Sequence, residues 1–326
     1  MIVLSTQDMA SLLPMPKAIE LVSTALIAAS SGKANLPLRH AIDVGAPNML
    51  GIMPGTMDEP DCYGVKLISL YPNNPASGHS SHLGLMVLFE KAHGTPIAIM
   101  NAGYLTAIRT SAASGVATNV LARKNAKTLV IVGAGEQAEF HIQSMLAVRG
   151  IEEIQVVGRA IEKVEGFIAE ARKQHAGIEF KAMTNVQAAV KGADIVCTVT
   201  SSKGTILEGA WIDKGCHVNA VGASIPSMRE IDEDMVASAS LYVDYRPSAF
   251  AQSGDIIEAL ESGRITKDHV IAELGEVLEG KARGRENDSE ITLYRSLGIA
   301  SQDLICAHYL MDRAKEQGLG TVANIL

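Results

Sequence analysis

The chain has 326 residues, 47% hydrophobic and 20% charged, with a formal net charge of −8. Such a composition suits a globular protein of more than one domain, and its acidic balance argues against nucleic acid as a partner. No apolar run approaches the ~20 residues of a membrane span, and the start, with Asp8, lacks a basic-then-apolar signal. Four scattered cysteines, Cys62, Cys197, Cys216 and Cys306, lack C-x-x-C spacing. A reducing, cytoplasmic compartment without structural zinc is expected.

In chain order, Ile2-Val3-Leu4 is a short apolar start, and Met15, Ile19, Val22 and Leu26 then recur at helical spacing. Pro16 suits the first turn of that helix and Ser31-Gly32 its end. Residues 36–44, 49–54 and 63–70 read as strands, followed by a Pro- and Asn-rich loop at 71–75. Further strands at 85–89 and 97–100 complete an α+β unit of hairpin-like strands. Residues 106–122 read as a helix of small side chains. Six apolar strands are then predicted at 128–132, 154–157, 178–180, 195–199, 217–221 and 241–243. Helical patterns at 137–148, 161–174 and 185–191 separate the earlier ones. This alternation predicts the α/β class, a doubly wound parallel sheet between about 127 and 245. Beyond it come short helices, a polar stretch at 282–290, a strand at 291–294 and an amphipathic helix at 297–317 that could return to the first domain.

The first predicted strand of that sheet runs into Gly133-Ala134-Gly135-Glu136-Gln137-Ala138, a G-x-G-x-x-A turn opening a helix. Gly133 would permit the turn, Gly135 would let backbone approach a pyrophosphate, and Ala138 would let helix and strand pack closely. The helix N-terminus would offer free N–H groups to the phosphates. The second strand ends in Val157-Gly158-Arg159, with no carboxylate to take a ribose 2′-hydroxyl. Arg159 can instead pair with a 2′-phosphate, which favours NADPH, with NADH possible but weaker. Later strand ends carry Thr200, Ser201, Val221 and Ser224, positions where ligands of such sheets sit.

Three cations stand in segments otherwise built for burial: Arg39 in Leu-Pro-Leu-Arg-His, Lys66 in Val65-Lys66-Leu67, and Arg109 in Thr106-Ala107-Ile108-Arg109-Thr110. Buried cations require anionic partners. Acidic residues are sparse nearby in sequence, so a substrate carboxylate is expected to supply the anion. His79 and His82 have H-x-x-H spacing, but their Ser- and Gly-rich setting reads as loop, so no metal is expected.

Together these features resemble the ornithine cyclodeaminase/μ-crystallin family over nearly the whole chain. The resemblance rests on Val65-Lys66-Leu67, Leu105–Thr110, Gly133-x-Gly135, Asn219–Ser224 with Arg229-Glu230, Glu273–Val277 and Ser296-Leu297-Gly298. It implies a homodimer of small-molecule enzymes. Residues 1–117 plus 298–326 would form a substrate-binding and dimerisation domain, and 118–297 an inserted Rossmann-like NADP-binding domain. It also implies that Arg39, Lys66 and Arg109 hold the substrate carboxylate, with Lys66 a candidate proton donor and Ser224 near the substrate. The implied cofactor set is Arg109, Thr110, Gly133, Ala134, Gly135, Glu136, Gln137, Gly158, Arg159, Thr200, Ser201, Val221 and Ser224.

Three departures set this sequence apart from true cyclodeaminases: Ser224 where they carry an aspartate, Gly51 where they carry a glutamate, and Gly158 in place of an acidic residue. These resemble NADPH-dependent ketimine reductases, although Ile225 stands where many of those have arginine. The expected reaction is reduction of Δ1-pyrroline-2-carboxylate or Δ1-piperideine-2-carboxylate to L-proline or L-pipecolate. Ornithine cyclodeamination, alanine dehydrogenase-like activity and NADPH-dependent ligand binding without catalysis are the alternatives.

Overall fold

The computed structural model describes residues 1–324, and the chain divides into two units at Arg109/Thr110 and Leu297/Gly298. The first unit begins with β1 (Ile2–Leu4), α1 (Thr6–Leu12), α2 (Met15–Ser30), β2 (Ala34–Asn35) and β3 (His40–Asp43). It continues through β4 (Met49–Met57), β5 (Cys62–Leu70), β6 (His82–Glu90) and β7 (Pro96–Asn101) into α3 (Ala102–Leu121). Strands β4 to β7 form an antiparallel meander, and β1 adds parallel to β7. The strand expected at 36–44 is shorter in the structure, pairing with β4 only over His40–Asp43. Pro37, lacking an N–H, cannot extend that ladder. The division between the units falls within α3, at Arg109/Thr110. Helix α3 runs unbroken through both positions, so no turn marks the change.

The second unit comprises β8 (Thr128–Val132), α4 (Glu136–Val148), β9 (Glu153–Val157), α5 (Ile161–Gln174), β10 (Glu179–Met183), α6 (Val186–Val190), β11 (Ile195–Thr198) and β12 (His217–Ala220). It continues with α7 (Glu233–Ser238), β13 (Ser240–Val243), α8 (Arg246–Gln252), α9 (Gly254–Glu261), β14 (Val270–Glu273), α10 (Leu274–Leu278) and β15 (Thr292–Arg295). Its strands form one parallel sheet of eight, ordered β10-β9-β8-β11-β12-β15-β13-β14. The predicted sheet of six is therefore too small. Strand β15 wedges between β12 and β13, and β14, which the sequence reading placed among helices and loops, forms the edge. Four residues ending in a carboxylate carry little strand pattern. Chain order reverses at β8, between β9 and β11, which is where such sheets open a crevice at their carboxyl ends.

The chain then returns to the first unit as α11 (Ala300–Gln317) and β16 (Thr321–Val322), which pairs with β1. Helix α11 packs against α2 and lies over β4 and β5. Glycines permit the approach. A Cβ on Gly55 would sit 2.7 Å from Ala300 Cβ, and one on Gly64 3.1 Å from Leu304 Cδ2. Strand alternation puts Gly64, Lys66 and Ile68 on this inner face and Val65 and Leu67 on the other. Among the described residues, no single helix is long and apolar enough to cross a membrane.

Candidate functional site

In the first unit the three predicted cations converge on the start of α11. Lys66 is 1% exposed, Arg109 4% and Asp303 1%. Lys66 Nζ donates to both Asp303 oxygens at 3.0 Å. Arg109 donates through Nε to Asp303 Oδ1 and through Nη1 to Gln302 Oε1, each at 3.1 Å. Arg39, half-buried, donates from Nη2 to the Gly298 carbonyl at 3.0 Å. The expectation that only a substrate would supply an anion is thus corrected: the protein supplies Asp303. It lies 237 residues from Lys66, too far for local sequence to join them. A signal existed. Ala300, Asp303, Leu304, Ala307, Leu310, Met311 and Ala314 share the buried stripe of α11, and Asp303 is its lone carboxylate.

The cluster remains electropositive. Lys66 and Arg109 share one carboxylate, and Arg39 adds to the field at Lys66. Burial foremost, then Arg109, brings the Lys66 ammonium down to about 7 from 10.5, against the opposing pull of Asp303. Gln302 Nε2 is buried without a hydrogen-bond partner, an unmet donor within the same amide that receives Arg109. Gly298, at φ 76°, leaves the space for this arrangement, since a Cβ there would lie 2.1 Å from Arg109 Nη1. A planar carboxylate fits this donor set by charge and by the fork geometry of arginine.

In the second unit the G-x-G-x-x-A turn links β8 to α4. Gly133 has φ 122°, a region disfavoured for other residues, and its N–H donates to Val157 O at 2.8 Å. Gly135 caps α4 with no side-chain hydrogen bond, and a Cβ there would meet nothing within 4 Å. The bare first turn and the open space beside it fit a pyrophosphate. Ala134, Glu136 and Gln137 flank this opening, and a Cβ on Gly158 would come 4.0 Å from that of Ala134. The same Cβ would press to 2.6 Å on Val164 Cγ2, so a carboxylate at 158 would require Val164 to move. Arg159 is exposed beside it.

The neighbouring strand ends are fixed from below by Glu230, which is 1% exposed. Its carboxylate accepts from Thr198 Oγ1, from Thr200 N and Oγ1, and from Gly222 N at 2.6–2.8 Å. Asp255 in turn accepts from Glu230 N and from Arg295 Nε, and Arg295 donates to the Ala220 and Ala223 carbonyls. This buried network holds the loops that carry Thr200, Ser201, Val221 and Ser224; only Val221 is fully buried. In the sequence Glu230 stands only as part of a family motif, because the partners of this clamp lie at separate strand ends. Thr110 is buried, one residue after Arg109 on α3. His79 is exposed and His82 Nδ1 lies 2.8 Å from Ser81 Oγ. Among the described residues, no group of three His, Cys, Asp or Glu is placed to hold a metal ion.

The model of the ornithine cyclodeaminase/mu-crystallin family matches residues 1–318. A Δ1-pyrroline-2-carboxylate reductase of Bacillus cereus is 37% identical over 322 residues, 98% of either chain. The solved Δ1-pyrroline-2-carboxylate reductase of Thermococcus litoralis, in complex with NADH and L-proline, superposes with a TM-score of 0.96 at 37% identity, covering 99% of this chain and 100% of that one. An archaeal alanine dehydrogenase dimer with bound NAD superposes at 0.93 with 30% identity, covering 100% of this chain and 99% of that one.

Proposed function

The chain belongs to the ornithine cyclodeaminase/mu-crystallin family, and from that premise we propose that it is an NAD(P)H-dependent oxidoreductase that reduces cyclic imino acids. Its substrates are Δ1-pyrroline-2-carboxylate and the six-membered homologue, its products L-proline and L-pipecolate. The observation that carries this reading is the cluster of buried Lys66 and Arg109, which share the one carboxylate of Asp303, with half-buried Arg39 beside them.

Arg39 and Arg109 hold the substrate carboxylate, and the unmet Gln302 amide adds a donor. A reduced nicotinamide bound at the turn of Gly133 to Gln137 would supply hydride to the C=N carbon. The π pair moves to nitrogen, which takes its proton from Lys66 Nζ. A lysine brought to about 7 holds and releases that proton at neutral pH. The turn of Gly133 to Gln137, with Thr200, Ser201, Val221 and Ser224, holds the dinucleotide. Arg159 receives the 2′-phosphate, which makes NADPH the preferred cofactor and NADH the weaker one.

The protein acts as a homodimer through the outer face of the antiparallel sheet. Ile52, Val65, Leu67, Leu85, Val87 and Ile99 share that face, and Leu85 is 50% exposed. An apolar face of this kind calls for a partner. Four unpaired buried cysteines accord with a cytoplasmic setting.

The test is a steady-state screen of both imino acids with NADPH and NADH, beside pyruvate plus ammonia and ornithine with NAD+. Cyclic imino acids should give kcat/KM at least about 100-fold above the other pairs. Preference for pyruvate plus ammonia would reassign the chain to alanine dehydrogenation, and tight NADPH binding with no turnover would make it a ligand binder.

A further inference from the structure

We propose that Asp303 is a positioning residue of this reaction: it fixes Lys66 and Arg109 in place and governs when Lys66 gives up its proton. The inference rests on the reading of Lys66 as the acid. One short segment, Gly298 to Asp303, receives all three cations: Arg39 at the Gly298 carbonyl, Arg109 at Gln302 and Asp303, and Lys66 at Asp303. None of the three arrives with a carboxylate from its own element, so α11 organises a site whose ligand-binding groups lie elsewhere in sequence. Equal 3.0 Å contacts to both oxygens hold the Lys66 ammonium on one carboxylate, and Arg109 Nε on Oδ1 keeps that carboxylate from turning.

The charged groups facing Lys66 are Arg109 from α3, Arg39 from the segment after β2 and Asp303 from α11. The thiol of Cys306 lies one turn beyond Asp303 on the same helix, and burial pushes it above its ordinary range. Cross-strand neighbours Met53 and Met86 are uncharged. Burial and both arginines favour loss of the lysine proton, and Asp303 alone opposes them. Without Asp303, Lys66 would enter the reaction already neutral. With it, the ammonium persists until the substrate nitrogen takes the proton, and the neutral amine left behind takes a proton from water after product leaves, its charge held by the same carboxylate.

The test compares the pH dependence of kcat/KM for Asp303→Asn and Asp303→Glu, at saturating NADPH, with the wild type. NADPH affinity by fluorescence and thermal melting would establish that each variant is folded. Asp303→Asn should lose about 100-fold in kcat/KM at neutral pH, with the alkaline limb displaced downward by about one pH unit or more. Asp303→Glu should regain at least tenfold, with a smaller downward displacement. A variant that loses rate while its alkaline limb stays at the wild-type position overturns the proposal, because a merely structural carboxylate would behave so. If Asp303→Asn does not fold, Asp303→Glu decides by the same limb: displaced supports, unmoved overturns. Lys66→Met separates the two readings. A limb that survives in Lys66→Met removes lysine as the acid; one that vanishes there but is unmoved in the Asp303 variants removes only Asp303.

Discussion

Replacing Lys66 by methionine tests the electrostatics of the cluster through stability. An ordinary lysine keeps its proton to 10.5, whereas Lys66 releases it at about 7. Between those values the unfolded chain binds a proton that the folded protein has lost, so wild-type stability rises with pH. Below the window both states are protonated and the full cost of the buried ammonium is present; above it both are neutral and the cost is gone. Each pH unit inside the window is worth about 1.4 kcal/mol. From about pH 7, where the folded lysine is still half protonated, to about pH 9 the wild type should gain roughly 2 kcal/mol relative to Lys66→Met. Methionine nearly preserves the chain volume and leaves Asp303 paired with Arg109, so the variant provides a baseline without the titrating group. Denaturant unfolding of both proteins at three pH values and one protein concentration measures the difference. A constant offset across the range would refute the lowered lysine, and with it the argument that burial tunes this group for proton transfer.

Three further outcomes are expected. Gly135→Val, at an extended backbone position with open space around it, should leave melting within about 2 °C of wild type yet weaken NADPH binding at least tenfold; unchanged affinity by fluorescence titration would move the pyrophosphate elsewhere. Arg159→Ala should weaken NADPH by about tenfold more than NADH, and equal losses would reject the 2′-phosphate contact. Leu85→Glu should convert a dimer to monomers in light scattering, and a dimer that persists would place the interface off the sheet face.

The sequence was most readable where structure is local. The G-x-G-x-x-A turn between β8 and α4 was legible because Gly133 meets a backbone demand, a positive φ, visible in a few residues. The buried cations were legible because alternation in β5 and small residues in α3 leave Lys66 and Arg109 no polar context. Asp303 escaped because its partners lie on β5 and α3, joined to it only by the fold. Strand β14 escaped because four residues flanked by short helices show no period, and β15 gave no sign that it would insert between β12 and β13. The Glu230 clamp escaped for the same reason as Asp303: its partners are loop amides and hydroxyls at two separate strand ends.

The discontinuity of the first unit bears on how the protein is made. Its second segment begins at Gly298 and is translated only after the whole of the second unit. The parallel sheet is therefore encoded in one continuous stretch of chain that is complete before α11 is translated. The first unit must wait for α11, and closing the loop of intervening residues costs chain entropy, which slows its completion. Until then Lys66 and Arg109 have no Asp303 to meet, Gly55 and Gly64 leave a groove without its helix, and the apolar sheet is uncovered on both faces. A nascent chain halted before residue 298 is thus expected to be the aggregation-prone and chaperone-dependent species, and the buried ion pair would be the last part of the site to assemble.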